Sequence, residues 1–213
     1  GKSTFASELI KAGMSESPED PRLYGAAAQL RLIDGDVPGA TELLREGLKS
    51  FPGQRDLIWN LAGLEVESGE AESAKELIAD LRAIEFGEAP IHFLEARVLL
   101  LDQEYQRAIA SAKKSRSLSD RTDRDLLKRS DLLLAVCFER LGRTDLEIAA
   151  LRRAVNADPL CRDARQTLAS ALTRAGSLQE AVAELRYLTL LNPSSTRALI
   201  DLAKCTLLHW QRS

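Results

Sequence analysis

The chain has 213 residues, of which 45% are hydrophobic and 29% charged, and its formal net charge is −3. That is enough apolar material for an ordered core, and too balanced a charge for a disordered acidic or basic tail. Aromatic residues make up only 5%, Ala and Leu outnumber Val and Ile, and no apolar run approaches the roughly 20 residues of a membrane span, so an all-α fold is expected and no membrane partner. The three cysteines, Cys137, Cys161 and Cys205, are an odd number without C-x-x-C spacing. They indicate neither a disulfide framework nor a zinc site, favour a reducing compartment such as the cytoplasm, and leave no cofactor to expect.

The chain opens on "GKST" followed by "FASELIKAG", which reads as a helix. Glycine, lysine and a hydroxyl residue running into a helix also form the tail of a phosphate-binding loop. That loop needs an upstream glycine, a preceding strand and a surrounding α/β unit, and the sequence offers none. Phase explains Gly1 better: glycines recur at Gly1, Gly35 and Gly69 and again at Gly142 and Gly176, with a period of 34 residues. Such a period takes precedence over any local motif.

The next stretch, "LYGAAAQLRLIDGDVPGATELLREGLKSFP", runs as one amphipathic segment to Ile33, turns through "DGDVP", and resumes as a second segment to Ser50. The same plan repeats along the chain. Ala28, Ala62, Ala96, Ala135, Ala169 and Ala203 form one series, and Ala6, Ala40, Ala74, Ala108 and Ala181 a second, with Glu147 in its vacant slot. Prolines close units at Pro18, Pro52, Pro159 and Pro193, while Phe86 and Asp120 take the other two closing slots. A helical hairpin accounts for all three series. Glycine suits the left-handed residue that ends the first helix, alanine lets two helices approach, and proline stops the second helix.

The register resembles the tetratricopeptide repeat (TPR) family, whose 34-residue helix-turn-helix units carry a small residue at position 8, glycine at 15, alanine at 20 and proline at 32. "DARQTLASALTRAGSLQEAVAELRYLTLLNP" fits it best, with Leu168, Ala169, Leu172, Gly176, Ala181, Leu185 and Pro193 in place. The resemblance spans the chain and implies an all-α TPR solenoid, a right-handed superhelix of stacked antiparallel helix pairs. It divides residues 1–213 into a second helix alone (1–20), full repeats 21–54, 55–88 and 89–122, an insert at 123–127, full repeats 128–161 and 162–195, and a first helix alone (196–213). A half repeat at each end reads as a fragment of a longer protein. Gln103 in place of the turn glycine and Glu147 in place of an alanine depart from the pattern.

The resemblance also implies a binding surface, because solenoids bind on the concave face that first helices line. Positions 2, 5, 9, 12 and 13 of each unit give Arg22 and Gln29, then Asp56, Trp59 and Glu67, then Phe93, Arg97 and Leu101. Further along they give Arg129, Leu132, Val136, Glu139 and Arg140, then Asp163, Gln166, Ser170 and Arg174, and finally Arg197, Ile200 and Lys204. An exposed Trp and Phe flanked by arginines has the composition of an interface hot spot. The expected ligand is a peptide or helix of a partner protein with an apolar anchor and acidic residues. Packing between neighbouring first helices is the competing reading of Trp59 and Phe93.

Charge is uneven: residues 1–88 carry nine Lys and Arg against seventeen Asp and Glu, a balance of −8, whereas residues 89–213 balance at +5. That polarity favours an acidic partner towards the C-terminal half, or self-association through the solenoid ends. The insert region, "AKKSRSLSDRTDRDLLKRSD", is basic, but interleaved aspartates and the lack of aromatics disfavour nucleic acid. His92 and His209 have no nucleophile or carboxylate constellation to work with, so no enzyme activity is expected. The reading is a protein-binding scaffold. Its alternatives are the TPR segment of a larger enzyme, such as a transferase, and a nucleic-acid-associated solenoid using residues 121–127.

Overall fold

The computed structural model describes residues 12–13 and 20–212; the "GKST" turn, Ala6, Pro18 and most of the lone second helix expected at 1–20 lie outside them. The described residues form helices α1 (Pro21–Ile33), α2 (Val37–Ser50), α3 (Arg55–Ser68), α4 (Ala71–Ala83), α5 (Glu88–Leu101), α6 (Tyr105–Leu118), α7 (Arg124–Arg140), α8 (Thr144–Ala157), α9 (Arg162–Ala175), α10 (Leu178–Leu191) and α11 (Thr196–Arg212), with no strand among them. Aspartates start three of them. The side chains of Asp20, Asp36 and Asp123 accept from the amides of Arg22, Gly39 and Leu126, satisfying donors that a helix start leaves open.

Helix ends follow the glycine series. Gly69 and Gly176 cap α3 and α9 in the left-handed region, with φ of 84° and 79°. The same conformation occurs where glycine is missing: Gln103 has φ 60° and Glu85 φ 53°. The turn geometry is therefore imposed by the flanking helices, and Gln103 adopts it at the steric cost that glycine avoids.

The helices divide into two compact units, Gly1–Gln103 and Glu104–Ser213. In unit 1, α1 packs on α2, α2 on α3, α3 on α4 and α4 on α5, while the first helices α1, α3 and α5 also touch in succession. Its core is almost purely apolar. One cluster holds Ala28, Ala40, Leu44, Leu57, Leu61 and Leu64, and the next holds Ile58, Ala62, Val66, Ala74, Ile78, Leu81, Ile91, Leu94 and Val98. The periodic alanines Ala28, Ala40, Ala62, Ala74 and Ala96 are 0–2% exposed, as close helix crossings require. At Gly47 the approach is closer still: a Cβ there would lie 2.9 Å from Tyr24 and 3.0 Å from Leu57. Among the described residues of this unit one carboxylate is buried, Glu65, and Arg45 holds it at 2.7 Å.

Unit 2 packs α6 on α7, α7 on α8, α8 on α9, α9 on α10 and α10 on α11. Its core adds polar groups to the alanines and leucines. Ser115 and Ser130 share a buried hydrogen bond of 3.1 Å. Asp131, buried beside them, accepts from Arg116 at 3.0 Å and from Arg153 at 2.7 Å, tying α6, α7 and α8 together. Glu147, in the alanine slot of α8, is also buried, and Arg174 of α9 reaches it at 2.5 Å. The departure from the alanine series is thus compensated by a cation from the following pair. Ala203 differs from its series in another way, because it is exposed on α11.

The insert has a structural use. Helix α7 begins at Arg124, whose guanidinium donates to the carbonyls of Ala157 and Asn156 and so caps the end of α8. Lys128 bridges Asp125 at 3.0 Å and Asp158 at 3.2 Å. Hydrogen bonding to Asp125 raises the Lys128 pKa, and hydrogen bonding to Lys128 lowers that of Asp158.

Candidate functional site

Unit 1 presents three first helices. On α1, Arg22 is exposed but folds back onto Asp20 at 2.7 Å, and Gln29 is exposed. On α3, Asp56 and Glu67 are exposed and Trp59 is half-buried. Trp59 stacks on Phe86 with ring centroids 5.4 Å apart and leans on Phe93 at 6.4 Å. Phe93 itself is only 4% exposed, which overturns its expected place as an exposed contact. The reason lies in helix rotation: α5 turns this side of its second helical turn towards Trp59 of α3, so Phe93 packs between neighbouring first helices. Arg97 lies over the Phe93 ring at 5.8 Å and pairs with Glu67 at 3.2 Å. Leu101 is exposed at the end of α5.

A hollow of about 460 Å³ opens between α1 and α3, lined by Arg22, Gly25, Asp56, Trp59 and Asn60 among others. It brings Arg22, Asp56 and Trp59 together; Gln29, Glu67, Phe93, Arg97 and Leu101 do not line it. Asn60, and the exposed Leu32 and Ile33 at the end of α1, were missing from the expected surface. The signal for the last two was present. The offset that selects Leu101 in the third repeat selects Ile33 in the first, and the offset before it selects Leu32; Ile33 is 72% exposed.

Unit 2 carries the cations. Arg129, Leu132 and Val136 are half-buried on α7, and Glu139 and Arg140 are exposed at its end. Gln166, Ser170, Arg174, Arg197 and Lys204 line one hollow of about 390 Å³ between α9 and α11, over a floor that includes Ala169, Leu185, Cys205 and Leu208. Arg174 is occupied by Glu147 at 2.5 Å and Glu139 at 3.4 Å. Gln166 donates its amide to Asp201 at 2.9 Å. No cluster of His, Cys, Asp and Glu able to hold a metal occurs among the described residues. Burial pushes the Cys137 thiol up to about 11, far from the depressed value a nucleophilic cysteine needs. No helix among the described residues is long and apolar enough to cross a membrane.

Comparison with known proteins places this arrangement. Profiles of the tetratricopeptide repeat match residues 31–98 and 145–196, together more than half of the chain. A chain of the Cut9–Hcn1 APC/C hetero-tetramer superposes with a TM-score of 0.78 at 15% identity, over 96% of this chain and 40% of that one. TTC0263, a thermophilic TPR protein of Thermus thermophilus, superposes with 0.72 at 17% identity, over 88% and 100%. YrrB, a TPR protein with an unusual peptide-binding site, superposes with 0.52 at 15% identity, over 91% and 97%. This chain therefore spans about two fifths of the first of these and essentially the full length of the other two. Curated protein sequences give no significant match. The 34-residue period, the buried alanines, the glycine-capped hairpins and both profiles agree that the chain belongs to the tetratricopeptide repeat family, an all-α solenoid class of protein–protein interaction scaffolds.

Proposed function

We propose that the chain binds a peptide or helical segment of a partner protein on the faces of its first helices, α1, α3 and α5 in unit 1 and α7, α9 and α11 in unit 2. The observation that carries this reading is one hollow in each unit that first helices line and that is rich in residues the repeat offsets select; a larger hollow of unit 1, about 920 Å³, lies mainly along the second helix α2 and holds none of them. In unit 1 the half-buried Trp59 offers an apolar anchor, and in unit 2 Arg140, Arg197 and Lys204 offer cations to acidic groups. The division into repeats 21–54, 55–88, 89–122, 128–161 and 162–195 is part of the proposal, and a non-enzymatic role goes with it.

Capture of a partner by wild type is compared with two folded variants. Gln29→Arg, Asp56→Lys, Arg140→Glu and Lys204→Glu alter exposed first-helix residues; Glu76→Lys and Arg186→Glu alter exposed second-helix residues. Loss in the first variant with retention in the second is the expected result, and the reverse overturns the proposal. A second reading is self-association, favoured by the exposed Leu199, Ile200, Leu207 and Trp210 on α11. A dimer by sedimentation that Leu207→Ser and Trp210→Ser dissociate would establish it.

A further inference from the structure

We infer that the larger hollow of unit 1, along α2, takes an extended basic segment of a partner protein, two of its Lys or Arg side chains lying against Glu42 and Glu46. The site stands on second-helix residues, apart from the first-helix face, so either can fail without the other.

Three observations lead there. The first is charge that the fold leaves unused. The hollow is lined along α2 by residues from Val37 to Lys49, and opposite them by Glu65, Ser68 and Glu70. The side chains of Glu42, Glu46 and Glu70 are exposed and have neither a hydrogen bond nor an ion pair among the described residues. Arg45 is taken by Glu65, and Lys49 remains at one end. The lining therefore sets the carboxylates of Glu42, Glu46, Glu65 and Glu70 against two cations. Such a wall attracts cations and repels acidic segments.

The second is a buried carboxylate that is only half satisfied. Glu65 is 2% exposed, and Arg45 donates to its Oε1 at 2.7 Å. Its Oε2 accepts nothing among the described residues, yet it is not sealed from solvent, and the hollow is the opening that Glu65 lines. Leaving such an oxygen without a donor is costly, so a ligand that brings an N–H group there gains more than it would at an exposed carboxylate.

The third is spacing. Pro38, Glu42 and Glu46 form one row on α2, about 6 Å apart at the helical rise of ~1.5 Å per residue. Every second side chain of an extended segment lies on one face, about 6.6 Å from the last. A segment with an apolar residue followed by basic residues two and four positions on runs in step with that row. Its apolar side chain covers Pro38 and the neighbouring Val37, both exposed, and its cations meet Glu42 and Glu46.

The test is selection of random dodecapeptides, displayed with both ends blocked by flanking sequence, on the wild-type chain. The expected result is enrichment of peptides with Lys or Arg at i and i+2. Their synthetic capped forms should weaken at least about tenfold when Glu42→Gln and Glu46→Gln are combined, and binding should fall steeply with salt. Glu76→Gln with Asp80→Asn, which removes two exposed carboxylates of α4, and Trp59→Ala on α3 should leave binding unchanged. Basic peptides weakened equally by the α4 pair would show diffuse attraction and overturn the inference. Enriched peptides lost with Asp56→Lys and Trp59→Ala, but not with the α2 pair, would overturn it and leave the first-helix face intact. A dimer by sedimentation that the α2 pair dissociates would give the hollow to a second copy and overturn it as well, as would the enrichment of no peptide.

Discussion

Unit 1 and unit 2 are built from the same helical hairpin, yet they settle their polar side chains differently. Among its described residues, unit 1 has an apolar core with the buried carboxylate of Glu65, and on its first-helix side Trp59, Phe86, Phe93 and Arg97 satisfy one another. Unit 2 buries Asp131 and Glu147 with their arginines and leaves Arg197 and Lys204 unpaired at its hollow. Repeat stacking fixes the alanines and leucines that set helix spacing, and it leaves the remaining positions free for internal pairing or for a ligand.

The largest effect expected is in unit 2. Replacing Arg116 and Arg153 together by Ala strands the Asp131 carboxylate in the core and should cost about 3–5 kcal/mol of unfolding free energy. Asp131→Ala should cost less, because the two arginines are partly exposed and can rehydrate. Denaturant unfolding ranks the variants, and an Asp131→Ala loss equal to that of the double variant contradicts the buried-charge account. In unit 1 the corresponding stress is a cavity. Phe93→Ala should cost about 3 kcal/mol. A neutral Phe93→Ala would return that side chain to the surface.

Those two sites mark how far the sequence could be read. The period placed the helix pairs, the left-handed turns and the buried alanines, because backbone conformation and close approach act within a single repeat. Phe93 was misplaced because its offset names a helix face only to within tens of degrees, and a partner such as Trp59 decides which way the helix turns. The pairing of Asp131 with Arg116 and Arg153, and the rescue of Glu147 by Arg174, depend on residues 15 to 27 positions away. Charge type alone does not reveal such partners. Ala203 carries the buried-alanine pattern yet is exposed, since a periodic position names the face and not what covers it.

Smaller effects sharpen the contrast. Burial raises the Cys137 thiol from the ordinary 9.0 to about 11. The unfolded chain therefore loses this proton first, and the stabilising contribution is complete below pH 9 and lost as pH climbs to about 11. Thermal unfolding should show a shallower alkaline decline in Cys137→Ala than in wild type. An equal decline assigns the alkaline loss to other groups. At the turns, Gln103→Gly and Glu85→Gly should each stabilise by up to about 1 kcal/mol, while Gly69→Ala should destabilise by a similar amount. No gain at either site would mean that its left-handed backbone is not strained.

The most direct test of the first-helix binding face is amide hydrogen exchange of the chain with and without a bound partner that the first-helix variant fails to capture. Protection confined to α1, α3, α5, α7, α9 and α11, strongest around Trp59 and along α11 near Arg197 and Lys204, is the predicted result. Protection of the second helices α2, α4, α6, α8 and α10, or of residues 119–123, would contradict it.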